Sequence, residues 1–477
     1  MNKRLPYTLL SVLLLSWQPL GAKSPLLTPP STPVLGELDP FLLKTLYKTD
    51  DPDTGLKALQ SDLVFAALVQ KHNLALFGGP MLGCVTDSSA RFWVRTAAKA
   101  TVQVTVSEHR TLTKPLRSAP VQTDGSLDFT ALLDVKGLKP FSTYYYDVLV
   151  DGKGTLTTQP PSFKTYPRPR QKARFDIVFG GGARYVPEKE HMWDVIASWK
   201  PAAFLFLGDN IYIDLPKSRT KQRVHYYRRQ LRPEYRHLTA SCAMYAIYDD
   251  HDFGVNDCAG GPDPFRPAWK VPAWRVFKEN WVNPYYGGGD KQPGCWFDFS
   301  IGNVHVIMVD NRYYRDFKND TMLGPVQKQW LLNKLKQSTA AFKVIASGTL
   351  WTEHADKGGK DSWWGVKEER EEIFSFIDRN KIEGVILLSA DRHRTDVYKI
   401  ERPQGYDMYE FETSKLTNNH THPTKKEALF SYNKGNYFGM LTFDFTKPDP
   451  EALFRCITIE NKTVYSLTLQ QSQLKAK

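Results

Sequence analysis

Three short polar clusters each follow an apolar run: GDNIYID (Gly208 to Asp214) after AFLFL, DDHD (Asp249 to Asp252) after YAIY, and ADRH (Ala390 to His393) after GVILLS. Carboxylates and imidazoles are costly to gather at the ends of apolar strands unless something uses their charge. Oxygen and nitrogen donors grouped in this way suit divalent or trivalent metal ions. The carboxyl ends of strands are also where an open α/β sheet builds its sites. The chemistry this points to is metal-dependent hydrolysis.

Each cluster has its own spacing. Gly208 permits a tight turn after AFLFL, and Asp209 follows it directly. Tyr212, three residues on, can return to the same side of the loop, as a carboxylate bridging two ions and a phenolate on one of them would require. A helix N-cap Asp and a core Tyr would use the same spacing. In DDHD, Asp250 and His251 are adjacent. One can ligate a metal while the other, titrating near neutral pH, donates a proton to a leaving group; an ordinary surface loop is the alternative. Asp391 and His393 stand at i and i+2, which in an extended strand end points both to one side. A lone DxH is weak evidence, and the weight comes from three such arrangements in order.

The elements that must position these clusters are strands and helices in alternation. RFDIVF leads into a glycine loop and the helix PEKEHMWDVIASWK, whose Met192, Val195, Ile196 and Trp199 form one apolar face. AFLFL, NVHVIMVD, the helix PVQKQWLLNKLKQ, FKVIA and GVILLS continue a layered α/β domain over 173–465, with 466–477 as a tail. Strands return after about 405 and could complete a second sheet. Upstream, short alternating strands with turns between them predict a small β-sandwich over 77–166, and GLKPFSTYYYDV has an immunoglobulin-like or fibronectin-like placement of Leu138, Pro140, Thr143, Tyr144 and Tyr146. PRPRQK (Pro167 to Lys172) reads as a stiff basic linker. Residues 23–76 form a lead-in with helical spacing, and 1–22 have the basic start, Leu-rich run and small-residue end of a secretory signal. That apolar run is too short to span a bilayer, so a secreted or periplasmic protein without a transmembrane segment is expected.

Bulk properties narrow the class. Hydrophobic content of 41% and aromatic content of 13% exclude a disordered chain. A formal charge of +12 favours anionic partners, without sequence-specific nucleic-acid binding being indicated. Cys84, Cys242, Cys258, Cys295 and Cys456 show no CxxC, which argues against a structural zinc site. A Cys242–Cys258 disulfide is one option in an exported chain. KSRTKQRVHYYRRQLRPEYR (Lys217 to Arg236) reads either as a solvated helix face or as a cationic rim that concentrates a polyanionic substrate.

The ordered series GDNIYID, YDDHDFGVND, VDNRYYRD, LGPVQKQWL and LSADRH resembles the PhoD-type alkaline phosphatases of the calcineurin-like metallophosphoesterase superfamily, over residues 77–465. The resemblance implies a four-layer αββα sandwich preceded by an immunoglobulin-like β-domain. It implies a dinuclear or larger cluster of calcium, iron, zinc or manganese. By motif match Asp209 bridges the ions, Tyr212 and His393 serve one metal, Asp250 and Asp391 serve a second, and His251 takes the catalytic histidine position. Arg312, in VDNRYYR, stands at a family arginine and could bind a substrate oxyanion; a structural salt bridge would also use it.

Three departures stand out. Where the family's first strand ends in a Cys or Asp ligand, this chain has Gly182, in RFDIVFGGGARY. Its amides could form an anion nest, Arg184 could extend to phosphate, or the segment could be a flexible loop. Ala390 replaces a preferred glycine. Near SGTLWTEH only His354 is available as a further ligand, and a loop histidine with no role also fits. The expectation is an exported phosphoesterase acting by metal-activated hydroxide on a phosphorylated small molecule or an anionic phosphodiester polymer. The alternative is a degenerate member that binds polyanionic cell-envelope material without turnover.

Overall fold

A computed structural model describes residues 33–156, 159–355 and 359–476; the predicted signal segment 1–22 lies outside them. Apolar runs of five residues become fully buried parallel strands. In one sheet, Ala243–Ile247, Ala203–Leu207 and Arg174–Gly180 run parallel in that order. Tyr437–Asp444, Glu451–Thr458 and Thr463–Gln470 extend it antiparallel. In a second sheet, Val304–Met308, Phe342–Ala346, Val385–Ser389 and Met408–Thr413 are parallel neighbours, with antiparallel strands at both edges.

The two mixed sheets face each other across an aromatic layer. Phe411 stacks on Phe454 at 4.4 Å, and Phe342 meets Phe443 at 5.3 Å. Parallel neighbours need long crossovers, and these carry the helices Met192–Ser198, Pro233–Ser241, Gly324–Gln337 and Lys367–Arg379. The predicted tail 466–477 is instead structural. Its first residues complete the strand Thr463–Gln470, and Leu474 is fully buried while its carbonyl accepts the Gly384 amide.

Upstream, two antiparallel sheets built from Leu76–Gly83 to Ser162–Lys164 pack on each other through Phe92, Tyr146 and Phe163. The helix Leu63–Lys71 before them starts at Asp62, whose carboxylate accepts the Val64 and Phe65 amides.

The basic run departs from both sequence readings. It forms the helices Arg219–Gln230 and Pro233–Ser241, and its arginines are tied down rather than free. Arg228 pairs with Asp39 at 2.9 Å, Arg223 with Glu279 at 2.8 Å, Arg229 with Glu190 at 3.1 Å, and Arg232 with Glu234 at 2.9 Å. Arg219 reaches Asp53 at 2.6 Å, and Arg236 donates to the carbonyls of Leu76 and Phe77. A guanidinium already paired with a carboxylate is poorly placed to recruit substrate, and through Asp39, Asp53 and the carbonyls of Leu76 and Phe77 these side chains tie the lead-in and the β-sandwich to the main domain. The five cysteines are all free, so the Cys242–Cys258 option is not realised.

Candidate metal and phosphoester site

All three polar clusters lie at carboxyl ends of parallel strands. After Ala203–Leu207, Gly208 takes φ of 105°, and a Cβ there would stand 2.4 Å from the Asp249 Cβ. Glycine is therefore required for the first two clusters to touch. Asp209 follows with φ of 51° and is buried. Tyr212 Oη donates to Asp209 Oδ2 at 2.7 Å and lies 2.7 Å from His393 Nε2. The spacing read from the sequence thus places the Tyr212 hydroxyl between the first cluster and the third.

Asp249, after Ala243–Ile247, caps a short helical turn that carries Asp250, His251 and Asp252. Asp252 accepts the amides of Asn210 and Ile211 at 3.1 and 2.8 Å, clamping the two loops together. His251 Nδ1 meets Asp214 Oδ1 at 2.7 Å, and the ring lies 4.3 Å from that of Tyr212. Asp391 and His393 do not continue their strand as an extended end. Both adopt left-handed conformations, with φ of 85° and 47°, in a turn after Val385–Ser389. The turn sends Asp391 toward Asp249 and Asp250, and His393 toward Tyr212, so the pair serves two neighbourhoods.

The electrostatics are dominated by crowded carboxylates. Burial, and then the charges of Asp250 and Asp249, push the Asp209 carboxyl well above the ordinary range. Burial raises Asp391 to about 6 and Asp252 to about 7. Burial holds His393 down at about 3, with His422 and His420 adding to the effect, so its imidazole is neutral. For His251 burial opposes the charge, yet the Asp214 hydrogen bond and the charge of Asp250 outweigh it and raise the group to about 9. Asp209 Oδ1 and His393 Nδ1 are buried with no hydrogen-bond partner. Buried acids and orphaned lone pairs in this number fit bound cations, which reverse the cost of the charge. Ligand atoms come within 4.8 Å of one another in Asp209, Asp250 and His251; in Asp249, Asp250 and Asp391; in Asp250, Asp257 and Asp361; and in His393, His420 and His422.

Arg312 corrects the oxyanion reading. Its side chain is fully buried, with Nε and Nη2 on the Asp249 carboxylate and Nη1 on Asp361 at 2.8 Å. Asp361 also pairs with Arg315. Arg312 therefore fixes two acids and presents no free donor edge to a ligand. His354 packs its ring against Tyr398 at 6.1 Å and joins none of the four groups. Ala390 is accommodated because Gly181 faces it: a Cβ on Gly181 would come 2.7 Å from that of Ala390. Sequence reasoning passed over His420, His422 and Asn418. The string NNHTH (Asn418 to His422), with two histidines at i and i+2, was the available signal.

Comparison with known proteins follows this geometry. The fold is that of two solved phosphatases. A structure of PhoD matches with a TM-score of 0.70 at 17% identity, covering 85% of this chain and 92% of that one. A purple acid phosphatase, PPD1 of yellow lupin (Lupinus luteus), matches with a TM-score of 0.60 at 12% identity, covering 82% and 74%. The chain belongs to the PhoD-like phosphatase family, whose model matches residues 177–440. Alkaline phosphatase D of Bacillus subtilis (strain 168) is 25% identical over 342 residues, which are 61% of this chain and 57% of that protein. The chain thus matches little more than half the length of that curated relative. A domain of unknown function (DUF7800) matches residues 73–169.

Proposed function

We propose that this chain is an exported, metal-dependent phosphoesterase acting on phosphate mono- or diesters. The observation that carries the reading is the meeting of carboxylates and imidazoles, most of them buried, at three strand ends, with Asp209 Oδ1 left without a protein partner. Asp209, Tyr212, Asp250, Asp391 and His393 would hold the ions, Asp209 being the carboxylate that touches Tyr212 and stands in one group with Asp250. Such ions, when bound, activate water and neutralise charge on a phosphoryl group.

The chain's own residues supply the rest. Asp214 holds His251 through Nδ1, which leaves Nε2 to deliver a proton to the departing alkoxide. A raised affinity for that proton keeps the donor charged into mildly alkaline solution. Arg312 acts as a positioning residue, pinning Asp249 beside Asp250. Arg184 is exposed beside the Tyr212 ring and is placed to meet an incoming anion. The substrate class is a phosphorylated small molecule or an anionic phosphodiester polymer. Residues 1–22 direct export to a secreted or periplasmic location, and the 77–166 sandwich is immunoglobulin-like or fibronectin-like.

Gly182, which brings no side-chain ligand, favours a second reading in which the chain binds polyanions without turnover. Hydrolysis of p-nitrophenyl phosphate and of bis(p-nitrophenyl) phosphate, with and without chelator, separates the two. Chelator-sensitive release of nitrophenol is expected; no turnover of either ester with any of calcium, iron, zinc or manganese would overturn the enzyme reading.

A further inference from the structure

The loop that follows strand Met408–Thr413 lies directly on the glycine turn that departs from the family pattern. The Gly181 carbonyl accepts the Lys415 and Leu416 amides at 3.0 and 3.1 Å, and the Gly182 carbonyl accepts those of Thr417 and Asn418 at 3.3 and 3.1 Å. A Cβ on Gly182, whose φ is 67°, would stand 2.9 Å from the Lys415 nitrogen and 3.3 Å from His393 Cδ2. A ligand side chain at 182 and this loop therefore compete for the same space. The chain has taken the loop.

That loop returns side chains to the site. Asn418 Nδ2 donates to Tyr212 Oη at 2.6 Å and lies 3.1 Å from His393 Nε2. Asn418 Oδ1 accepts the His420 amide at 3.0 Å, and Asn436 Nδ2 donates to the carbonyls of Lys415 and Asn418. His420 and His422 are thus anchored close to the buried His393. Ring centroids are 5.2 Å apart for His393 and His420, 5.7 Å for His393 and His422, and 4.7 Å for His420 and His422. One nitrogen from each ring lies within 4.8 Å of the others.

We propose that His420 and His422 complete, with His393, a three-imidazole site for a borderline transition-metal dication such as zinc, in place of the first-strand ligand. The proposal rests on the metal-dependent reading above. Nitrogen donors prefer zinc and its neighbours, whereas calcium and magnesium prefer oxygen. Zinc–nitrogen bonds of about 2.0–2.1 Å place tetrahedral donors about 3.3 Å apart, so the rings need to close by little more than an ångström. His422 is half-exposed and His420 exposed, outside the buried core.

The test uses the full chain, stripped of metal and titrated with Co²⁺, a coloured stand-in for zinc, with zinc content measured by elemental analysis. Compared are the wild type, the double variant His420→Asn/His422→Asn, the single variant His420→Ala and Asp209→Asn. In the wild type a visible absorption band of a low-symmetry nitrogen site is expected. In the double variant that band should be lost and one zinc equivalent weakened by about tenfold or more. His420→Ala changes an exposed side chain and should show a partial loss while melting like the wild type. Unchanged band, stoichiometry and affinity in both histidine variants, with metal lost in Asp209→Asn, would overturn the loop site alone. If the wild type bound neither ion and matched Asp209→Asn, the metal-dependent reading would fall with it.

Discussion

The site has two halves of different construction. One half is oxygen-rich: Asp209, Asp249 and Asp250 are buried, Asp391 is partly buried, and Asp249 is held by Arg312. The other is nitrogen-rich: His393 is buried, His422 is half-exposed, His420 is exposed, and the last two stand on a loop. In the first half, acids are already crowded together, and the cost is offset by the enclosed guanidinium groups of Arg312, on Asp249, and Arg392, 3.1 Å from Asp391, and by the tightly paired loops. In the second, two of the three imidazoles lie outside the core, on a loop, and no buried carboxylate is crowded with them. The contrast teaches that a hard-cation position needs a rigid cage, because unpaired buried carboxylates repel. A softer position can be closed by a hydrogen-bonded strap.

Three substitutions can break or sharpen that contrast. His251→Ala removes the proton donor from the oxygen-rich half and should reduce turnover by about 10²–10⁴-fold with metal content unchanged. Steady-state kinetics beside elemental analysis measures this, and near-wild-type turnover with metal intact would remove His251 from the reaction. Arg312→Ala leaves Asp249 buried without its counter-ion and should cost about 3–5 kcal/mol. Changing exposed His420 should alter stability by no more than about 0.5 kcal/mol. Denaturant unfolding of both, without metal, measures the difference in rigidity, and equal losses would erase it.

The smallest expected effect concerns pH. Because His251 is raised to about 9, its charged form adds its full stability below the unfolded value and serves as a proton donor up to about 9. Both contributions decline as pH rises through about 9. Asp214→Asn removes the main support of that shift, so the alkaline limb of the rate profile should move to lower pH by about one unit. A limb that stayed in place would assign it to another group.

Much of this was legible along the chain. Asp209, Tyr212, Asp250, His251, Asp391 and His393 stood out because each lies within a few residues of the end of a buried strand, and such strands are short apolar runs. What was misread depended on partners far away in the chain. The basic run between Lys217 and Arg236 looks like a cationic surface because Asp39, Asp53, Glu190 and Glu279 are dispersed over more than two hundred positions. Arg312 looks like a substrate ligand until Asp249 and Asp361 are seen on both sides of it. Residues 466–477 have the look of a tail, yet their backbone is needed to pair with Glu451–Thr458.

By itself the sequence determined the strand ends, the donors that follow them and the order in which they come, because local polarity and turn chemistry set these. It also carried the Gly182 departure. Only the tertiary structure decided what that departure means. Whether a glycine is a gap or a place made for something else depends on what packs against it. Here the backbone of residues 415–418 lies within hydrogen-bonding distance of Gly181 and Gly182. No pattern along the chain records that approach, since contact across more than two hundred residues is set by the folding of both sheets together.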